Sequence, residues 1–231
     1  MRVSSVTLEH APGATGVVVA IDVLRAFTTA AYAFAAGAER IVATGTVQDA
    51  FIARDAYPGS LIMGEVDGLP VEGFDLDNSP QGITADVVAG KTLIQRTTAG
   101  TQGIVRATKA DTLFAASLVC AEATAKAIAA ENPDQVTFII TGRDHRDGEE
   151  DQAAADWIAA RLQGEQPDPD HAVARVTESD AGNTFTDPDN HHFDLGDLKM
   201  ATKIDAVDLA MRVTYDNHQR PVLHPVRPSS A

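Results

Sequence analysis

Gly16 to Ile21 reads GVVVAI, a short unbroken apolar run with three consecutive valines. A strand that is apolar on both faces has to be covered on both faces, as in a parallel sheet flanked by helices. Helical spacing follows at once, with Leu24, Phe27, Ala31, Phe34 and Ala35 on one face and Gly37 at the end. The alternation then continues. Arg40 to Ala43 predicts a strand, Val47 to Tyr57 a helix, Ser60 to Gly64 and Lys91 to Gln95 strands, and Gly100 to Thr108 a short helix. Asp111 to Ala115 and Gln135 to Ile140 read as strands on either side of a helix over Val119 to Glu131.

This order predicts an α/β fold, a three-layer α/β/α arrangement on a mainly parallel sheet, as one domain over residues 1–231 or two intimately packed halves. Aromatic residues make up only 5% of the chain, and alanine and valine supply much of its apolar content. The core is therefore expected to consist of closely spaced helices on valine-rich strands. Gln163 to Asn190, rich in Asp, Pro, Gly, Asn and Glu, is expected to be an extended acidic surface loop or lobe. Leu195 to Val213 predicts helical segments and Val222 to Val226 an extended end.

The charge balance narrows the partners. Eighteen Lys and Arg against 33 Asp and Glu give a net charge of −15. Nucleic acids and anionic membrane surfaces are bound through basic faces, so neither is expected as a partner. A small anionic ligand needs only a few local cationic groups, and nothing in the composition argues against a homo-oligomer. The single cysteine, Cys120, excludes an internal disulfide and a multi-cysteine zinc site. No signal-like or membrane-spanning run stands out, so a cytoplasmic protein is expected.

In parallel sheets ligands gather beyond the carboxyl ends of the strands. Four segments lie there. AIDVLRAFTT (20–29) puts Asp22 at a strand end, with Arg25, Thr28 and Thr29 in the following turns. Such a carboxylate holds Mg²⁺, attacks phosphorus, or caps the helix. GEVDGLPVEGFDLDNSP (64–80) gathers hard oxygen donors that suit Mg²⁺, although Asp77, Asn78 and Ser79 equally suit turn hydrogen bonds. QRTTAGT (95–101) reads either as an anion-binding nest or as a hydroxyl-capped helix start. ITGRDHRDGEEDQ (140–152) is a charged loop, with Arg143 or Arg146 available to clamp an anion, or a solvated charge run entering a helix. His191 and His192 are adjacent and lack zinc-site spacing, which favours a surface or supporting position.

Taken in order, DVLRAFTT, GEVDG, GFDLDNSP, TTAGT and Glu150-Asp151 resemble the motifs of the 2-phosphosulfolactate phosphatase family over most of residues 16–155, with a weaker return at Asp197 to Val213. The resemblance implies a Mg²⁺-dependent phosphoric monoester hydrolase that converts 2-phosphosulfolactate to sulfolactate and phosphate, a step toward coenzyme M. It implies Mg²⁺ on carboxylates among Asp22, Glu65 and Asp75. It also implies phosphoryl contacts from Arg25, Asn78, Ser79, Thr97, Thr98, Gly100 and Thr101, with Asp22 and Arg25 catalytic, and the charged loop offers Arg143 as a further substrate contact. Val66 replaces the Arg of the family's Gly-Glu-Arg, Asp77 a Gly, and Ala99 the Asn of Thr-Thr-Asn-Gly-Thr. Arg96, Arg143 and Arg146 are the nearby cations that would have to replace the missing Arg. The alternatives are a phosphatase of another small phosphorylated hydroxy-acid, or a phospho-ligand-binding homologue without catalysis.

Overall fold

The structure is a computed structural model that describes residues 1–142, 148–187 and 189–227. Its strands are β1 (Arg2–Thr7), β2 (Val17–Ile21), β3 (Arg40–Thr44), β4 (Leu61–Gly64), β5 (Leu76–Asp77), β6 (Thr92–Arg96), β7 (Thr112–Ala116), β8 (Gln135–Ile140), β9 (Ala210–Tyr215) and β10 (Pro221–Val226). Its helices are α1 (Ala26–Ala35), α2 (Val47–Ala56), α3 (Ala85–Val88), α4 (Gly100–Arg106), α5 (Ala121–Ala130), α6 (Glu149–Leu162), α7 (Pro169–Glu178), α8 (Asp180–Thr186) and α9 (Leu195–Ala201). The predicted strand-helix alternation appears where it was expected, and all five residues of β2 are buried.

The strands form one sheet in the order β1-β8-β2-β7-β9-β10-β3-β6-β4-β5. β1, β8, β2 and β7 pair in parallel, and so do β3, β6, β4 and β5. The antiparallel β9–β10 hairpin joins these two halves, pairing antiparallel with β7 on one side and β3 on the other. The second half therefore runs opposite to the first.

One helix reveals the shape of the sheet. α4 packs against both β2 and β3, which lie four places apart in the strand order. In a flat sheet that separation would be about 19 Å, against a helix diameter of about 10–12 Å. The sheet therefore curves around α4 and α1. One continuous core records this, running from Val18, Ala20 and Ile139 across Met211 and Leu223 to Ile41, Leu93 and Met63, with Phe27, Phe34 and Ile104 inside the curve. Two further cores lie on the outer face, one beneath α5 and α6 and one beneath α2. Right-handed twist of about 20–25° per strand step turns β6 by roughly 100–125° relative to β2. Carboxyl ends that a flat sheet would hold at opposite edges thus converge at one corner.

The last third departs from expectation. Gln163 to Asn190 is not an extended loop, because it contains α7 and α8. Asp168 caps α7 with Pro169 at its first position, and Ser179 accepts from the Gly182 amide to cap α8. Ala172, Val176 and Phe185 are the buried face. Leu195 to Val213 is helical only over α9, and its end enters the sheet as β9. Among the described residues, no helix is long and apolar enough to cross a membrane.

Candidate active site

Asp22 follows β2 directly, and its own amide bonds the Ala116 carbonyl at the end of β7. Its Oδ1 accepts from the Ala26 amide at 2.9 Å, so the capping role is real. The carboxylate is nevertheless part of a chamber of about 50 Å³ lined also by Arg25, Glu65, Asn78, Glu150 and Asp151, with Phe185 and Phe193 on its wall. A second chamber of about 180 Å³, lined by Ser79, Asp77, His191, His192, Asp194 and Asp197, shares Arg25, Glu65, Gly68 and Asn78 with the first. The two adjoin at those shared side chains.

The acidic groups are crowded. Burial raises the Asp22 carboxyl to about 7; the Ala26 and Gly100 amides oppose that rise, while the charges of Glu65 and Glu150 add to it. Burial, followed by the charges of Glu150 and Asp22, holds Asp151 well above the usual carboxylate range. Asp151 is also a clamp. It accepts from the Val23 amide at 2.8 Å and the Thr141 amide at 3.1 Å, tying α6 to the ends of β2 and β8. Among the described residues lining either chamber, Arg25 is the only Lys or Arg. Its Nη1 donates to Asp197 at 2.7 Å, and its guanidinium lies 5.3 and 4.9 Å from the ring centroids of Phe185 and Phe193.

The predicted site residues fall into three groups. Asp22, Arg25, Glu65 and Asn78 line one chamber. Asn78 lines both chambers; its side chain is buried, and among the described residues its Oδ1 has no hydrogen-bond partner. Ser79 lines the second chamber, where its Oγ donates to Asp197 at 2.7 Å.

The predicted anion nest is already filled from within the chain. Thr97 and Thr101 cap one another, each amide bonding the other's hydroxyl at 2.9 and 3.0 Å. The Thr98 amide donates to Glu65 Oε1 at 2.6 Å and its hydroxyl to Oε2 at 3.1 Å, and the Gly68 amide adds a third bond at 2.5 Å. Thr98 therefore holds Glu65, while Thr97 and Thr101 are spent on each other. Gly100 serves through its missing side chain: a Cβ there would lie 2.7 Å from Asp22 Oδ2 and 2.7 Å from Ala26 Cβ. Gly64 has φ +138°, which lets the chain turn out of β4 beside the Arg96 carbonyl toward Glu65.

The third group lies elsewhere. Asp75 accepts from the Ile62 amide at 2.8 Å and pairs with Arg54 on the outer surface, away from both chambers. Arg96 does not replace the cation missing at Val66; its Nη1 donates to the Glu65 carbonyl at 2.6 Å. Arg143 and Arg146 lie outside the described residues.

Sequence reasoning missed the inward turn of Glu150 and Asp151, which are 5% and 2% exposed inside an apparent surface charge run. It also left Asp197, Phe185 and Phe193 without roles. The signal for Asp197 was its place in the closing segment, which carried only a weak motif. Among the described residues no three His, Cys, Asp or Glu side chains are grouped to hold a metal. Mg²⁺ asks for less, typically one or two carboxylates with water and substrate phosphate. The donor chemistry of Asp22, Glu150 and Asn78 Oδ1 fits such an ion.

Known proteins resemble this chain over much of its length. A protein named probable 2-phosphosulfolactate phosphatase from Bacillus subtilis (strain 168) is 33% identical over 208 residues, covering 90% of this chain and 91% of the relative. One of the same name from Carboxydothermus hydrogenoformans is 41% identical over 145 residues, 63% of this chain and 60% of the relative. One from Deinococcus radiodurans is 37% identical over 163 residues, 70% of this chain and 67% of the relative. The sequence profile of 2-phosphosulpholactate phosphatase matches residues 3–213, and the chain belongs to that family.

Proposed function

We propose that this chain is a phosphoric monoester hydrolase that cleaves 2-phosphosulfolactate to sulfolactate and inorganic phosphate with Mg²⁺ as cofactor. The observation that carries the reading is the buried corner where Asp22, at the end of β2, shares a chamber with Arg25, Glu150 and Asn78. The names of the relatives supply the substrate. Arg25 presents a permanent positive charge to the phosphoryl oxygens, and Asn78 Nδ2 donates to them, so that charge developing in the transition state meets fixed donors. Phe185 and Phe193 keep water from the guanidinium and strengthen that interaction. Asp22, Glu150 and Asn78 Oδ1 are the groups that would hold Mg²⁺. When bound, the ion supplies charge neutralisation for the leaving oxygen. Among the described residues, the excess of carboxylates over Arg and Lys around the two chambers supports a cation here, since the substrate brings further negative charge.

The same reading takes up a cytoplasmic enzyme on the route toward coenzyme M. It also takes up the expectation of no nucleic-acid partner, which the net charge of −15 supports. The test is inorganic phosphate release from 2-phosphosulfolactate and from phospholactate, with EDTA and after Mg²⁺ is restored. Release from the sulfonate ester that EDTA abolishes and Mg²⁺ restores is the expected result. No release from that ester would reject the substrate, and release insensitive to EDTA would reject the cofactor.

A further inference from the structure

We propose that Asp197, on α9, is a positioning residue that holds Arg25 away from Asp22, Glu65 and Glu150. This rests on the reading of Arg25 as the group that meets the phosphoryl oxygens. Arg25 is only 7% exposed and always charged, so it needs a buried counter-charge. Asp22, Glu65 and Glu150 line the same chamber and would all attract it. A guanidinium drawn onto any of them would be lost to the substrate.

The geometry prevents this. Asp197 is 1% exposed, and its Oδ2 accepts from Arg25 Nη1 at 2.7 Å. Its Oδ1 is fixed by Ser79 Oγ at 2.7 Å and Gln81 Nε2 at 3.1 Å, so the carboxylate cannot rotate to follow the arginine. The His192 carbonyl accepts from the same Nη1 at 3.4 Å. The rings of Phe185 and Phe193, set edge to face at 5.1 Å, pack against the guanidinium. Nε and Nη2 of Arg25 make no hydrogen bond among the described residues, which leaves that edge for an anion.

The test is a double-mutant cycle of Arg25→Lys and Asp197→Asn, with kcat and KM for 2-phosphosulfolactate and affinity for inorganic phosphate as separate readouts. Asp197→Asn keeps a side chain of the same size and is expected to lower kcat on the order of 100-fold. In the Arg25→Lys background the same change is expected to do little more, because the group it positions is gone. Equal losses in both backgrounds would overturn the proposal. Ser79→Ala provides a milder version should Asp197→Asn not fold: its loss, on the order of 5-fold, is expected to vanish in the Arg25→Lys background, and persistence there overturns the proposal. A wild-type protein that releases no phosphate rejects the functional reading instead, and the phosphate-affinity cycle then decides the positioning role alone.

Discussion

Gly100→Ala tests the claim that the corner is built by close approach of α4 to Asp22. The new Cβ would lie 2.7 Å from both Asp22 Oδ2 and Ala26 Cβ, about 0.7 Å short of ordinary van der Waals contact. Neither neighbour yields freely, since Asp22 is buried and bonded to the Ala26 amide while Ala26 is wholly enclosed. Overpacking of this kind costs about 1–3 kcal/mol. Alanine recovers part of it, up to about 1 kcal/mol, through better helix propensity. A net loss of about 1–2 kcal/mol should lower the melting temperature by about 2–8 °C for a chain of this size. Turnover should suffer more, because a shift approaching 1 Å at a catalytic carboxylate costs on the order of 100-fold. Gly82→Ala is the control: a Cβ there meets nothing within 4 Å. Thermal melts and phosphate release on the two variants decide it. If Gly100→Ala matches Gly82→Ala in both, the packing argument is wrong.

Three further outcomes are expected. In metal-free buffer, wild type should lose stability relative to Asp22→Asn as pH rises from 4 to 7. The native state retains a proton up to about 7 that the unfolded chain releases near 3.8, an effect of at most about 4 kcal/mol; a pH-independent difference in urea midpoint would contradict the burial of that carboxylate, and Mg²⁺ at pH 7.5 should then stabilise wild type more than the variant. Glu65→Ala should destabilise by about 2–5 kcal/mol in urea titrations, because it strips the carboxylate from the Thr98 and Gly68 amides. Asp75→Asn should leave turnover near wild type and cost no more than about 1 kcal/mol, since it loses only an exposed pair with Arg54; a large fall in kcat would restore Asp75 to the metal site.

Local sequence was enough wherever one segment makes its own geometry. GVVVAI declared a strand buried on both faces, and the spacing after it declared α1, so Asp22 and Arg25 were visible as strand-end residues. The order of the motifs was enough to show the family. Signals that were present but outweighed account for α7 and α8, whose caps at Asp168 and Ser179 are short-range features in a segment of loop-like composition.

Tertiary structure decided what each polar residue is for. TTAGT has the sequence of an anion nest, yet the curved sheet brings Glu65 to the Thr98 amide and fills it from within. Glu150 and Asp151 carry the signature of a solvated helix start, but α6 packs them inward against β2 and β8. Asp75 and Glu65 sit ten residues apart on one acidic loop, and only the pairing of β4 with β5 sends them to opposite sides. The partner of Arg25 comes from Asp197, 172 residues away, a separation no local pattern encodes. Periodicity and caps are properties of a few neighbouring residues, so the sequence carries them directly. The fate of a charge depends on which distant group can meet it in a medium where an unpaired charge is costly, and only the closed fold determines that.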